Sequence, residues 1–343
     1  KGGLAAINEM VTGALAGAHI SEFGQLAQFV EAAICGEPEA LWQMLQDPSF
    51  DREAVYFLLL ILCKGGRATL LYEILTNQMA QNCQQCIQTF SDQWISRLIG
   101  AASTGGHNNC IKLLIHMVRP EIDLSSYFEF QATPLYFAAQ YERLETLQFL
   151  LDQNVNPNIG SSAWSPLLVA AWGGKTKSIE MLLKVPLVNV NWTTTKDKNN
   201  TALSYSCFSG KRECVRLLLS HPDIDVSRRS SDQLMTPFSG SVIARQTSIV
   251  KLFLNYHAQQ KIQLDVNIEV KKNYDNKADA ENCYSVLMVH YIHLICGDGD
   301  DRHIFNDRLD QEECVSMLLK LPELDVNKKG KNGKNFPLLF LCS

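Results

Sequence analysis

From Thr133 onward the chain restates one phrase. Thr133-Pro134-Leu135 is followed by Ala138-Ala139, Leu147, Leu150-Leu151 and Val155-Asn156, and Ser165-Pro166-Leu167 by Ala170-Ala171, Gly174, Ile179, Leu182-Leu183 and Val190-Asn191. Thr201-Ala202-Leu203 leads to Gly210, Cys214-Val215, Leu217-Leu218-Leu219 and Asp225-Val226, and Thr236-Pro237-Phe238 to Ile249-Val250, Leu252, Leu254 and Asp265-Val266-Asn267. The anchors Leu135, Leu167, Leu203 and Phe238 stand 32, 36 and 35 residues apart. Self-similarity at this period means small units that cannot bury their apolar faces alone and gain stability by stacking on neighbours.

Each part of the phrase has a physical task. A Thr or Ser hydroxyl before Pro accepts from the orphan amides of a helix start, and Pro at the first helical position has its φ already set. The Ala pair lets that helix approach its neighbours closely, where larger side chains would clash. Gly174 and Gly210 permit a tight reversal. The Leu-Leu rows then supply the apolar stripe of a second helix.

The Thr-Pro-Leu start, the Ala pair, the corner Gly, the Leu pair and the Asp-Val-Asn close resemble the ankyrin-repeat family. The resemblance is specific from Thr133 to Asn267 and recurs to residue 343, where Leu287 opens a unit closing at Asp325-Val326-Asn327 and Pro337-Leu338 starts another. It implies an all-α solenoid of roughly eight helix-turn-helix units with short β-hairpin fingers and two insertions. Upstream, the grammar is degraded: Leu98 to Ala101-Ala102 with Gly105-Gly106-His107, Leu58 to Cys63 with Gly65-Gly66, and Phe29 to Ala32-Ala33 with Gly36 read as three further units. A capping helix is expected within residues 4–20. The organisation read from this is a capping segment over 1–25, degenerate repeats over 26–130, well-formed repeats over 131–268, and repeats with insertions and a C-terminal partial unit over 269–343. The anchors at 238, 287 and 338 are 49 and 51 residues apart, so about 15 residues are added in each of these units. Ile262 to Lys277 reads as a lengthened finger, and Gly297 to Asp310 as a loop between helices. One departure stands out: the His that follows the Thr-Pro-Leu start in the family is Tyr136, Leu168, Ser204 and Ser239 here.

With 46% apolar residues and a net charge of −5, the chain is an ordered, mildly acidic protein. Nucleic acid is not the expected ligand, since binding it requires a basic stripe that releases counterions from phosphates. No apolar run approaches the roughly 20 residues that span a bilayer. Eleven cysteines are too sparse for a disulfide scaffold and odd in number, which points to a reducing compartment. A cytoplasmic monomer is expected.

Chemistry has few footholds. Cys83-x-x-Cys86 with His107-x-x-Cys110 has zinc-like spacing, but Cys110, Cys214 and Cys314 recur at one place in three units, so register explains Cys110 as a small buried apolar residue. Cys283, His290, His293, Cys296 and His303 invite a thiol hydrolase or transferase in the inserted region; spacing of three drifts around a helix, so three of them cannot share one tight face. Asp298-Gly299-Asp300-Asp301 lacks the Glu of a calcium loop, with Leu309 at that place. No phosphate loop, nucleophile elbow or H-E-x-x-H helix is present. No catalytic residue, metal ligand or cofactor is assigned.

What remains is surface. The resemblance implies a concave groove lined by the residue before each Thr-Pro start (Ala132, Trp164, Asn200, Met235), the two after each Ala pair (Gln140-Tyr141, Trp172-Gly173, Phe208-Ser209, Ile243-Ala244), and the finger tips. Trp164, Trp172, Phe208, Tyr141 and Met235, with the finger residues Trp192, Tyr127 and Phe128, are therefore the candidate contacts for a protein partner, since bulky exposed rings are what hot spots consist of. Lys196, Lys198, Arg228, Arg229, Lys328, Lys329, Lys331 and Lys334 add a basic fringe able to steer an acidic partner. The resemblance further implies Asn191 and Asn327 as substrates of asparaginyl hydroxylases. The phrase Leu218-Leu219-Ser220-His221-Pro222, echoed at Leu318-Leu319-Lys320-Leu321-Pro322, is similar to arrays in protists and in effectors of intracellular bacteria, which would put the chain in a host cytosol or nucleus.

Overall fold

The computed structural model describes residues 52–77, 81–125, 132–161, 164–193, 199–230, 235–244, 246–259, 261–264, 269–271 and 283–285, with Ser316 and Lys320. The expected cap and the unit from Phe29, and most of the segment beyond residue 271, lie outside them. The chain divides into two compact units, Lys1–Ser162 and Ala163–Ser343.

In the first unit, helices alternate between two rows. The first helices are α1 (Arg52–Lys64), α4 (Asp92–Gly105) and α6 (Pro134–Gln140); the second helices are α2 (Ala68–Thr76), α5 (Asn108–Leu113) and α7 (Leu144–Asp152). Helix α1 packs on α4 and α4 on α6, while α2 packs on α5 and α5 on α7. An additional helix, α3 (Gln81–Gln88), packs on α1 and α2, and a π-helical turn at Leu114–Val118 extends α5. Leu59, Leu62, Leu71, Ile99, Ile111 and Leu147 are fully buried between the rows.

The second unit follows the same scheme. First helices α8 (Pro166–Trp172), α10 (Ala202–Phe208) and α12 (Pro237–Ile243) pack in order, as do second helices α9 (Thr176–Leu183), α11 (Arg212–Leu219) and α13 (Thr247–Ala258). Beyond α13, β1 (Glu269–Lys271) pairs antiparallel with β2 (Cys283–Ser285), in the register Val270 to Tyr284.

Caps set where the first helices start. The hydroxyls of Thr133, Ser165, Thr201 and Thr236 each accept from the backbone N–H three residues on. Thr236 and Ser239 satisfy each other reciprocally in a capping box. Where no such cap exists, the helix runs on. Helices α1 and α4 are 13 and 14 residues long, against seven for α6, α8, α10 and α12, because Phe57 and Arg97 hold the place of the cap and continue the helix.

The corners fix the repeat register. Gly66, Gly106, Gly174 and Gly210 have φ of 69, 82, 69 and 69°, and Glu142 takes the same left-handed turn with φ 53°. Leu167 and Leu203 stand seven residues before Gly174 and Gly210, and Leu135 seven before Glu142. Counting back from Gly106 puts Ile99, not Leu98, at the anchor and Ala102-Ser103 at the pair, one residue later than the sequence alone suggests. The same count makes Leu59 the anchor of α1. Gly105 and Gly106 are adjacent and equivalent in composition, and only the backbone turn distinguishes them.

Across these corners a recurring contact joins neighbouring repeats. The N-cap residues of α5, α7, α11 and α13 each lie over the left-handed glycine of the repeat before: His107 over Gly66, Arg143 over Gly106, Lys211 over Gly174 and Gln246 over Gly210. His107 Nε2 lies 3.1 Å from the Lys64 carbonyl, and Arg143 Nε donates to the Thr104 carbonyl at 2.8 Å. Each acceptor stands two residues before its glycine. These bonds join repeats at a place the sequence pattern does not advertise.

Candidate functional site

Helices α8 and α10 carry an aromatic cluster made by residues one repeat apart. Trp164 precedes the Ser165 cap, Trp172 ends α8, and Tyr205 and Phe208 lie three apart on one face of α10. The Trp164 ring sits between two others, 5.8 Å and edge-on to Trp172 and 4.7 Å and tilted 31° from Tyr205. Trp164 and Tyr205 are half-buried by this packing, whereas Trp172 and Phe208 keep 52% and 58% of their surface in solvent. The inner rings thus hold the outer ones. Aromatic pairs at such offsets contribute about 0.5–1.5 kcal/mol beyond the area they bury, so Trp172 is presented on a braced platform.

Cations border the platform. Lys175 and Lys211 each follow a left-handed glycine directly and cap the next helix. The Lys211 stem crosses the preceding corner, its Cδ 3.1 Å from where a Cβ on Gly174 would stand, and the Lys175 Cγ is 3.5 Å from the same point on Gly173. Helices α8 and α10 contain no charged side chain of their own.

The finger beyond α9 is fastened to the next one. Asn191 Nδ2 donates to the Asp223 carbonyl at 2.7 Å, and the Asp225 N–H donates to Asn191 Oδ1 at 2.9 Å. Both ends of that amide are spent, which fixes the two fingers in register.

The comparisons with known proteins agree with the helical repeat fold. Residues 98–191 match the family model described as ankyrin repeats in three copies, and residues 198–230 match that of the single ankyrin repeat. Residues 98–230 are ankyrin repeats. Over 88 residues the chain is 30% identical to the Transient receptor potential cation channel subfamily A member 1 of Homo sapiens, a match covering 25% of this chain and 8% of that protein.

The remaining candidates lie as follows. Tyr141, in the first unit, is 48% exposed just after α6. Trp192 is half-buried, its N–H donating to the Asn189 carbonyl at 3.1 Å. Met235 is half-buried and closes a loop, its carbonyl accepting from the Ser230 N–H at 2.9 Å. Arg228 reaches Thr193 Oγ1 at 3.4 Å. Tyr127, Phe128, Asn327, Lys196, Lys198 and the lysines from 328 to 334 lie outside the described residues, as do His290, His293, Cys296, His303 and residues 298–301.

Of the zinc-like spacing, Cys83 and Cys86 lie within electrostatic reach of each other on α3, while Cys110 and His107 belong to the start of α5. Cys83 is buried on α3, Cys110 is buried at the start of α5, and the His107 ring faces the Lys64 carbonyl. Among the described residues no three His, Cys, Asp or Glu side chains converge as a metal site would require. Burial pushes the Cys83 thiol up to about 12 and Cys110 to about 11, and raises Cys63 and Cys207 well above the ordinary range. Among the described residues no helix is long and apolar enough to cross a membrane. Sequence reading missed Tyr205, Lys175 and Lys211. The signals were present: Tyr205 is one helical turn before Phe208, and both lysines directly follow a corner glycine.

Proposed function

We propose that the chain is a non-catalytic protein-binding module whose partner docks on the aromatic platform of α8 and α10. Ankyrin repeats are protein-interaction domains, and the observation that carries this reading is the pair of half-exposed rings, Trp172 and Phe208, braced by Trp164 and Tyr205. Rings that are ordered before binding lose little side-chain freedom on contact, which is why they dominate interface energetics. In this reading the array runs on through the helix pairs on both sides of residues 98–230, and its fingers and insertions flank the partner.

The test is a selection of random dodecapeptides displayed on phage against the intact chain, with W172A/F208A as the counter-target. Each truncation of a central ring costs about 2 kcal/mol or more at a hot spot, so peptides enriched on the parent chain should lose at least about a hundredfold in affinity for the double variant. Equal affinity for a double variant with an unchanged melting temperature would rule out the platform as the docking site.

A further inference from the structure

The two lysines bordering the platform have a feature the structural role of their neighbours does not require. At the corners of the first unit, the equivalent residues His107 and Arg143 spend their side chains on the Lys64 and Thr104 carbonyls. The side chains of Lys175 and Lys211 make no hydrogen bond or ion pair with the described residues, although Lys211 lies across its corner in the same way. Their stems lie along the corner backbone, and among the described residues no carboxylate pairs with either ammonium group. On the second helices, Glu213 of α11 is taken by Arg216, whose Nη2 is 2.5 Å away, which leaves Glu180 of α9 as their other carboxylate, and α8 and α10 are uncharged.

We infer that the platform selects an extended acidic segment, with apolar side chains seated on Trp172 and Phe208 and carboxylates paired with Lys175 and Lys211. This rests on the docking reading above and adds the chemistry of the partner. Lys175 and Lys211 hold equivalent places in adjacent repeats, and packed helices stand about 8–10 Å apart. A polyproline-type extended chain rises about 3.1 Å per residue with three residues per turn, so carboxylates at i and i+3 repeat about every 9 Å on one face. That period matches the spacing of the lysines, and residues between the carboxylates reach the rings. Opposite charge at the rim of an aromatic site governs which partner is accepted and how fast it arrives.

The experiment uses the same displayed dodecapeptides, followed by titration of the winning synthetic peptides against the intact parent chain, K175Q/K211Q and K175E/K211E. Glutamine keeps most of each stem over the corner, and the melting temperature of each variant reports whether the corner survives. The expected result is enrichment of Asp or Glu at a spacing of three around apolar residues. Affinity should fall about tenfold in the glutamine variant and further on charge reversal, with a marked weakening at high salt in the parent only. Winning peptides that are neutral or basic, or acidic ones bound equally by all three chains, would overturn the inference. If such peptides are still lost on W172A/F208A, the docking site stands and only its acidic preference falls; if they survive W172A/F208A, the docking site falls as well.

Discussion

At a single corner, a glycine and the ring covering it make one device. Gly66 has φ 69°, and a Cβ there would fall inside the His107 ring, which itself bonds the Lys64 carbonyl. Gly66→Ala should therefore cost about 1 kcal/mol for the left-handed backbone and about as much again for displacing His107. His107→Ala alone should cost about 1 kcal/mol through the lost bond. In the double variant the clash is gone, so urea melts should show destabilisation smaller than the sum by about 1 kcal/mol. Gly240, with open space around its Cβ position and a place inside α12, is the control: Gly240→Ala should be neutral or stabilising by up to about 1 kcal/mol. The glycine at such a corner is legible in sequence. Its covering residue is legible only as a position, the one after the next corner, because His, Arg, Lys and Gln share no composition.

At the scale of an element, legibility follows the cap. Every first helix with Thr or Ser at the expected place begins there, since the hydroxyl satisfies an amide that continuing the helix would otherwise require. Upstream, the missing cap could be read as a weak repeat, yet its consequence, two longer helices, could not. The extension of α1 and α4 adds its own small core: Phe90 is fully buried, the Tyr56 and Trp94 rings are 4.5 Å apart, and the Arg52 guanidinium lies 4.8 Å over Trp94. None of these residues belongs to the repeat phrase, so no periodicity announces them. The start of α4 shows the contrast with the capped helices, because Ser91 is its N-cap residue but makes no side-chain cap bond. Thr236→Ala, which removes half of a capping box, should cost about 1–2 kcal/mol, whereas Ser91→Ala should change stability by less than about 0.5 kcal/mol. Chemical denaturation of the two single variants checks both.

Across the whole molecule, net charge and local charge point in opposite directions. A chain at −5 weakly repels an acidic partner at long range, but at physiological salt charges are screened beyond about 8 Å, so the inferred acidic preference rests on the local charges of Lys175 and Lys211 at the corners beside α8 and α10. The aromatic candidates were legible because a repeat exposes the same positions in every unit; the lysines became visible only when each corner could be compared with the next. The buried thiols act on the molecule in a different way, through pH. Cys83 and Cys110 titrate at about 12 and about 11 in the folded chain, above the ordinary thiol value of 9.0, and Cys63 and Cys207 are raised as well, in each case with burial as the leading cause. Between pH 9 and 11 the unfolded chain therefore releases protons that the folded chain retains. With fewer protons bound to the unfolded state, stability falls as pH rises, by up to about 1.4 kcal/mol per pH unit for each thiol. Well below pH 9 these groups are protonated in both states and contribute no slope. Urea unfolding from pH 7 to 10.5 under reducing conditions should show a midpoint unaffected by these thiols up to about pH 8 and a progressive decline above it. Replacing Cys110 with Ala should make that decline shallower, while a decline of unchanged steepness would mean that the Cys110 thiol ionises as readily in the folded chain as in the unfolded one.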